Sequence, residues 1–166
     1  TLLGWYKTNK RDLPWRSFQD NMLPNSYYIF VSEYMLQQTT VSTVKTRFNE
    51  FVIKWPTLKK LAKTSEPKIL QFWSGLGYYS RARNLLRAAK IIEKNFNGKI
   101  PSRYEDLIKL PGIGDYTAKA ILGISYNQSY IPLDSNIERI FARLYAFKKP
   151  LAKIKPQLQE KSNYFI

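Results

Sequence analysis

Apolar positions recur at helical spacing along almost the whole chain. In residues 41–54, Val41, Val44, Phe48, Phe51 and Val52 lie three or four apart and share one face of a predicted helix. Residues 82–95 repeat the pattern, with Leu85, Leu86, Ala89 and Ile92 on one side and Phe96 just beyond. Residues 27–37 ("YYIFVSEYMLQ") differ: they are strongly apolar, which predicts a helix, and they carry a single acid, Glu33. Weaker helical runs cover 1–9, 116–126, 136–147 and 151–161. Thr57 starts "TLKKLAK" as an N-cap, and Ser65 starts "SEPKILQFW" with Pro67 in the first turn. Ser102 is expected to cap 103–110, Gly98 to stop the helix before it, and Asp134 or Ser135 to cap 136–147. Residues 16–26 and "NQSYIPLD" read as loops. No β alternation or hairpin signal is present. The prediction is an all-α fold, an irregular bundle of about nine or ten helices, with residues 1–166 as one helical region.

Charge changes the picture more than composition does. The 27 Lys and Arg against 12 Asp and Glu give a formal charge of +15, which points to a polyanion partner. The basic residues are scattered over several helices instead of lining one amphipathic face, which argues for nucleic acid over a membrane surface. With no Cys and no His, disulfides, thiolate metal sites, His triads and His-based zinc sites are excluded within these residues. Acid–base chemistry falls to the carboxylates, with Lys or Tyr assisting. No apolar run reaches the ~20 residues of a membrane span, and the start shows no signal-peptide pattern.

The stretch "LPGIGDYTAKAIL" (110–122) sets Gly112 and Gly114 two residues apart, immediately before a helix. Small residues there let backbone N–H groups face outward, and the helix N-terminus adds partial positive charge. Together they make a cradle for one phosphate. Helix 103–110, the PGIG turn and helix 115–126 would then form a helix-hairpin-helix that grips DNA through its backbone and reads no sequence. An ordinary αα turn with glycine caps is the plainer alternative; the length of the motif and the basic chain around it favour the phosphate site.

Glu33 sits among apolar and aromatic neighbours, so partial desolvation should raise its pKa and suit it to donate a proton. A surface Glu paired with Lys or Arg is an equally open reading at this point. Asp134 follows Pro132 in "IPLDSNIER", where an Asp commonly caps a helix; its second oxygen remains free to face a substrate. One proton donor and one anion from distant segments are the minimum for cleaving a glycosidic bond.

The motifs "LPWR", "SEYMLQQT", "FWSGLGYYSRARNL", "LPGIGDYTAKAIL" and "LDSNIERIFARLYA" occur in the order seen in MutY-type adenine DNA glycosylases. The chain resembles that family, part of the helix-hairpin-helix base-excision repair superfamily with endonuclease III, from about Trp5 to Phe147. The resemblance implies an enzyme that flips adenine, mispaired with 8-oxoguanine or guanine, out of double-stranded DNA and hydrolyses its N-glycosidic bond. It implies that Glu33 protonates the base at N7, that Asp134 stabilises the oxocarbenium-like sugar, and that Asn136 supports Asp134. Tyr116 stands where bifunctional relatives carry a lysine; lacking an amine, it cannot form a Schiff base, so little strand cutting is expected. Arg16, Trp15 and Leu36 match the adenine pocket, with Arg11 nearby. Gln38 and Tyr78 match wedge residues that enter the base stack; core packing for Tyr78 and a surface helix end for Gln38 are the plainer readings. Gly112 and Gly114 match the hairpin, whose carbonyls, including those of Leu110 and Ile113, would hold a monovalent cation. Lys119, with Arg81, is assigned to the DNA-binding surface.

Some positions depart from the family. Ser135 replaces the Gly often found after the catalytic Asp, and "SFQDNMLPNS" lengthens the connection before Glu33. The family's four-Cys [4Fe–4S] cluster and Nudix-like C-terminal domain have no counterpart among these residues, and the ends of the chain suggest a fragment. A bacterial, cytoplasmic and nucleoid-associated monomer is the expected setting, with no membrane partner. Two rivals remain: a thymine or mismatch DNA glycosylase of the same fold, expected to lack Glu33, and a DNA-binding module without catalysis.

Overall fold

The computed structural model describes residues 1–16 and 23–165. Among them the regular structure is helical: α1 (Leu2–Asn9), α2 (Ser26–Leu36), α3 (Val41–Lys54), α4 (Leu58–Ala62), α5 (Glu66–Trp73), α6 (Ser80–Asn95), α7 (Tyr104–Leu107), α8 (Asp115–Tyr126), α9 (Ser135–Leu144) and α10 (Leu151–Ser162), with 3₁₀ turns at Pro14–Arg16 and Asn163–Phe165. The all-α expectation holds.

The centre of the bundle is α2. Asn25 starts it, its Oδ1 accepting from the Tyr27 and Tyr28 amides at 2.9 and 3.4 Å. Ile29, Phe30, Val31, Tyr34 and Met35 have no exposed surface, because α3, α6 and α8 pack round the helix. Each such side chain contributes ~1.5–3 kcal/mol by burial. The Tyr27 hydroxyl donates to the Trp55 carbonyl at 2.6 Å and ties α2 to the end of α3. There Phe51, Trp55 and Phe72 meet at centroid distances of 4.7–5.4 Å, Phe72 edge-on to the other two, contacts worth ~1 kcal/mol per pair beyond area.

Several boundaries differ from the expectation. The loop expected over 16–26 closes earlier on both sides, in the 3₁₀ turn and the Asn25 cap; its stretch 17–22 lies outside the described residues. The helix expected over 103–110 is only α7, and Arg103, not Ser102, precedes it without a side-chain cap. Beyond α7 the chain tightens into i→i−3 turns, with the Leu110 amide on Leu107 O (3.0 Å) and the Ile113 amide on Leu110 O (3.1 Å). These tighter turns let Leu107, Leu110 and Ile113 all face the core. Ser65 precedes α5 without a side-chain bond. Of the two candidate caps for α9, Asp134 is the one used. Helices α9 and α10 form a small second cluster around Phe141, Ile154 and Leu158, joined to α8 by Lys119 on Gln159 (3.1 Å). No helix among the described residues is long and apolar enough to cross a membrane.

Candidate active site

A cavity of ≈ 330 Å³ opens between the 3₁₀ turn, α2 and the start of α8. Arg11, Leu13, Trp15, Arg16, Glu33 and Leu36 line it, with Tyr116 and Thr117 from α8. The four residues assigned to an adenine pocket (Arg11, Trp15, Arg16, Leu36) thus share one wall with Glu33. Trp15 is held edge-on against Phe48 at 5.4 Å. Its Nε1–H and the Nε–H of Arg16 are buried and have no hydrogen-bond partner among the described residues.

Glu33 is only 5% exposed. Burial pushes its pKa from 4.5 up to about 7, and Arg16 pulls against that rise. The arginine is too weak a counterweight to keep the carboxyl fully ionised near neutrality, so this acid has a proton to give. The solvated ion pair left open by the sequence is therefore set aside. Tyr116 sits at the cavity rim, 40% exposed. Its hydroxyl pKa is pushed up to about 12, first by burial and then by the charges of Glu33 and of Asp134.

Asp134 is half-buried outside the cavity lining. Its Oδ1 accepts from the amides of Asn136 (3.0 Å) and Ile137 (2.8 Å), and its Oδ2 from Asn136 Nδ2 (3.3 Å). Arg139 holds Asn136 in turn, donating to its Oδ1 at 2.5 Å. The carboxylate is thus oriented by a cap and a side-chain relay, with Oδ2 the less committed oxygen.

The hairpin lies beside this site. Tyr34 O–H donates to Pro111 O at 2.5 Å, and Gln37 Nε2 to Gly112 O at 3.0 Å, fixing the turn to the helix that carries Glu33. Its two glycines do different work. Gly112 has φ +79°, and a Cβ there would stand 2.9 Å from Asn84 Cβ and 3.0 Å from Tyr34 Cε1. Gly114 precedes α8 with φ −99°, and a Cβ there would meet nothing within 4 Å. Packing demands the first glycine, while the second leaves an open approach to the α8 N-terminus.

Two DNA-binding assignments need correction. Lys119 is largely buried; it bonds Asp115 Oδ1 at 3.0 Å as well as Gln159. Its charge neutralises an acid that would otherwise repel an anion from the α8 N-terminus, and it is not free to hold phosphate itself. Arg81 is 5% exposed. Its guanidinium faces inward and bonds the carbonyls of Met35 (2.8 Å), Gln37, Leu76 (2.8 Å) and Gly77 (3.1 Å) and the hydroxyl of Thr39 (2.8 Å). Gln38 and Tyr78 do reach the surface, Tyr78 with 62% exposure. Both lie in the left-handed region, at φ 57° and 47°, which costs ~1–2 kcal/mol for such residues.

Sequence reading missed Leu13, Gln37, Thr39, Val41 and Thr117 as cavity residues. For Gln37 the signal was available, four positions beyond Glu33 on one helical face.

Residues 31–163 match the HhH-GPD superfamily base excision DNA repair protein family. The chain belongs to that superfamily. The adenine DNA glycosylase of Buchnera aphidicola (subsp. Acyrthosiphon pisum) is 42% identical over 145 residues, covering 87% of this chain and 40% of the relative. That of Homo sapiens is 42% identical over 150 residues, covering 88% and 28%, and that of Mycobacterium tuberculosis 39% over 142, covering 86% and 45%. The chain thus spans less than half the length of these relatives. Among solved structures, a thermostable thymine-DNA glycosylase superposes with TM-score 0.84 at 26% identity, covering 97% of this chain and 73% of that one. A non-covalent endonuclease III–DNA complex superposes with TM-score 0.75 at 20% identity, covering 96% and 73%, a likeness of fold.

Proposed function

We propose that the chain carries the catalytic centre of a monofunctional adenine DNA glycosylase, acting on adenine mispaired with guanine or 8-oxoguanine in double-stranded DNA. The observation that carries this reading is Glu33, buried at a cavity with a carboxyl that holds its proton up to about pH 7. The adenine DNA glycosylases named above support the choice of base.

In this reading the flipped adenine enters the cavity lined by Trp15, Arg16 and Leu36. Glu33 gives its proton to N7, the C1′–N9 bond breaks with its electron pair going to the base, and adenine leaves. The positive charge on the sugar is met by the Asp134 carboxylate. Water then adds at C1′ and loses a proton, leaving an abasic site. Tyr116 has no amine for a Schiff base, so the backbone stays intact. The DNA is held by the open approach at Gly114 and the α8 N-terminus. The hard carbonyl oxygens of Leu110 and Ile113 suit a monovalent cation, which would stiffen the turn; Tyr34 and Gln37 already fix its other two carbonyls. A [4Fe–4S] cluster needs Cys thiolates, and this chain has none, so the residues present do not fit it.

The test is single-turnover base release from a duplex with adenine opposite 8-oxoguanine, beside duplexes with adenine or thymine opposite guanine. Adenine release that disappears in Glu33→Gln supports the reading. Thymine release alone would move the chain to the thymine glycosylases. Duplex binding without release would make it a binding module.

A further inference from the structure

Arg81 belongs to the first turn of α6, yet five of its hydrogen-bond acceptors lie in two separate stretches, the end of α2 with the loop after it and the loop before α6. Its Nη1 donates to Met35 O, Gln37 O and Thr39 Oγ1, at the end of α2. Its Nη2 donates to Leu76 O and Gly77 O, just before α6. The acceptors at Gln37 and Thr39 bracket Gln38, and Gly77 directly precedes Tyr78. Both bracketed residues are exposed, non-glycine residues held at φ 57° and φ 47°. Arg81 Cζ also lies 5.6 Å from the Tyr78 ring centroid and 5.6 Å from that of Trp73 beneath. A second arginine, Arg47, bonds the carbonyls of Phe72 and Ser74 from α3 and steadies the other end of the same loop.

We propose that Arg81 is a positioning residue: its one buried guanidinium locks the Gln38 and Tyr78 turns into a single rigid unit, so that both side chains enter a duplex together. The planar fork is what permits this. Two nitrogens at fixed separation serve two loops at once, whereas a lysine ammonium is a single point that can satisfy only one of them. Left-handed turns relax when their carbonyls lose their donors, so the bond set also explains how two costly conformations persist. The part that concerns DNA rests on the glycosylase reading above; the coupling of the two turns does not.

The first arm uses the protein without DNA. In Arg81→Lys, amide hydrogen exchange should speed up by about tenfold in 36–41 and in 75–80 together, while 85–92 in α6 stays as slow as in the wild type. Faster exchange in one loop only, or throughout the chain, overturns the proposal. If Arg81→Lys does not fold, Thr39→Val takes its place. Removing that acceptor in the first loop should loosen 75–80 in the second, and no change there overturns the coupling.

The second arm uses a duplex with 2-aminopurine in place of the target adenine, opposite guanine, and follows the fluorescence rise on unstacking. Arg81→Lys should reduce unstacking about tenfold in the wild-type background and add nothing in Gln38→Ala/Tyr78→Ala, where the wedges are gone. An equal loss in both backgrounds would mean that Arg81 only supports the fold, and would overturn the positioning role. Coupled exchange with a wild type that never unstacks the probe would sink the glycosylase reading and leave the coupling standing.

Discussion

At the scale of single residues, Glu33 couples the fold to pH. Its carboxyl holds a proton up to about pH 7 in the folded chain, against 4.5 ordinarily. The folded state therefore binds a proton that the unfolded state releases between these values. The contribution is fully present below about pH 4.5 and is lost as pH rises to about 7, amounting to roughly 3 kcal/mol. Urea melts of the wild type and Glu33→Gln across this range should diverge in that direction and run parallel above it. Base release should fall as pH rises above about 7, as the acid loses its proton. The hairpin glycines give a second test at this scale. Gly112→Ala places a Cβ 2.9 Å from Asn84 at φ +79° and should cost ~1–3 kcal/mol in a thermal melt. Gly114→Ala meets only open space, so stability should move by no more than about 0.5 kcal/mol while duplex affinity drops in a titration.

At the scale of elements, α9 shows one residue serving two ends. Asp134 caps the helix through Oδ1, and its second oxygen is the less committed one, the one that the proposed reaction uses. Asp134→Ser keeps a capping oxygen and removes the charge, so its stability should stay close to that of the wild type while base release is lost. Asp134→Ala loses both, and its melt should fall by ~1 kcal/mol. Equal melts for the two variants would show that the cap contributes nothing. The pairing of α7 with α8 was legible as a motif, but not the shortness of α7. The sequence was read as one helix over 103–110; it could not reveal that i→i−3 turns carry Leu107 and Leu110 to the core, because 3₁₀ and α spacing differ by only a fraction of a residue per turn.

For the whole molecule, charge is the governing quantity. A chain at +15 that neutralises several phosphates should show duplex affinity falling with salt, at a log–log slope of roughly −0.9 per phosphate contacted. A flat response from 50 to 200 mM salt, followed by anisotropy, would remove the polyanion argument. Buried Lys119 and Arg81 should contribute nothing to that slope, unlike exposed basic residues.

The all-α class, α2 as a strongly apolar helix, the paired glycines and the carboxylates were all written in the sequence. Each depends on local spacing or on the chemistry of one residue type, and those survive without knowledge of neighbours. Tertiary structure alone decided whether Glu33 was solvated or desolvated, which glycine was packed and which open, and which basic residues faced inward. Desolvation, a Cβ clash and the carbonyls around a guanidinium are set by atoms brought together from distant parts of the chain. Arg81 makes the point most directly: read beside "GLGYYSR" it is one more cation for DNA, and folded it is the group on which two loops close.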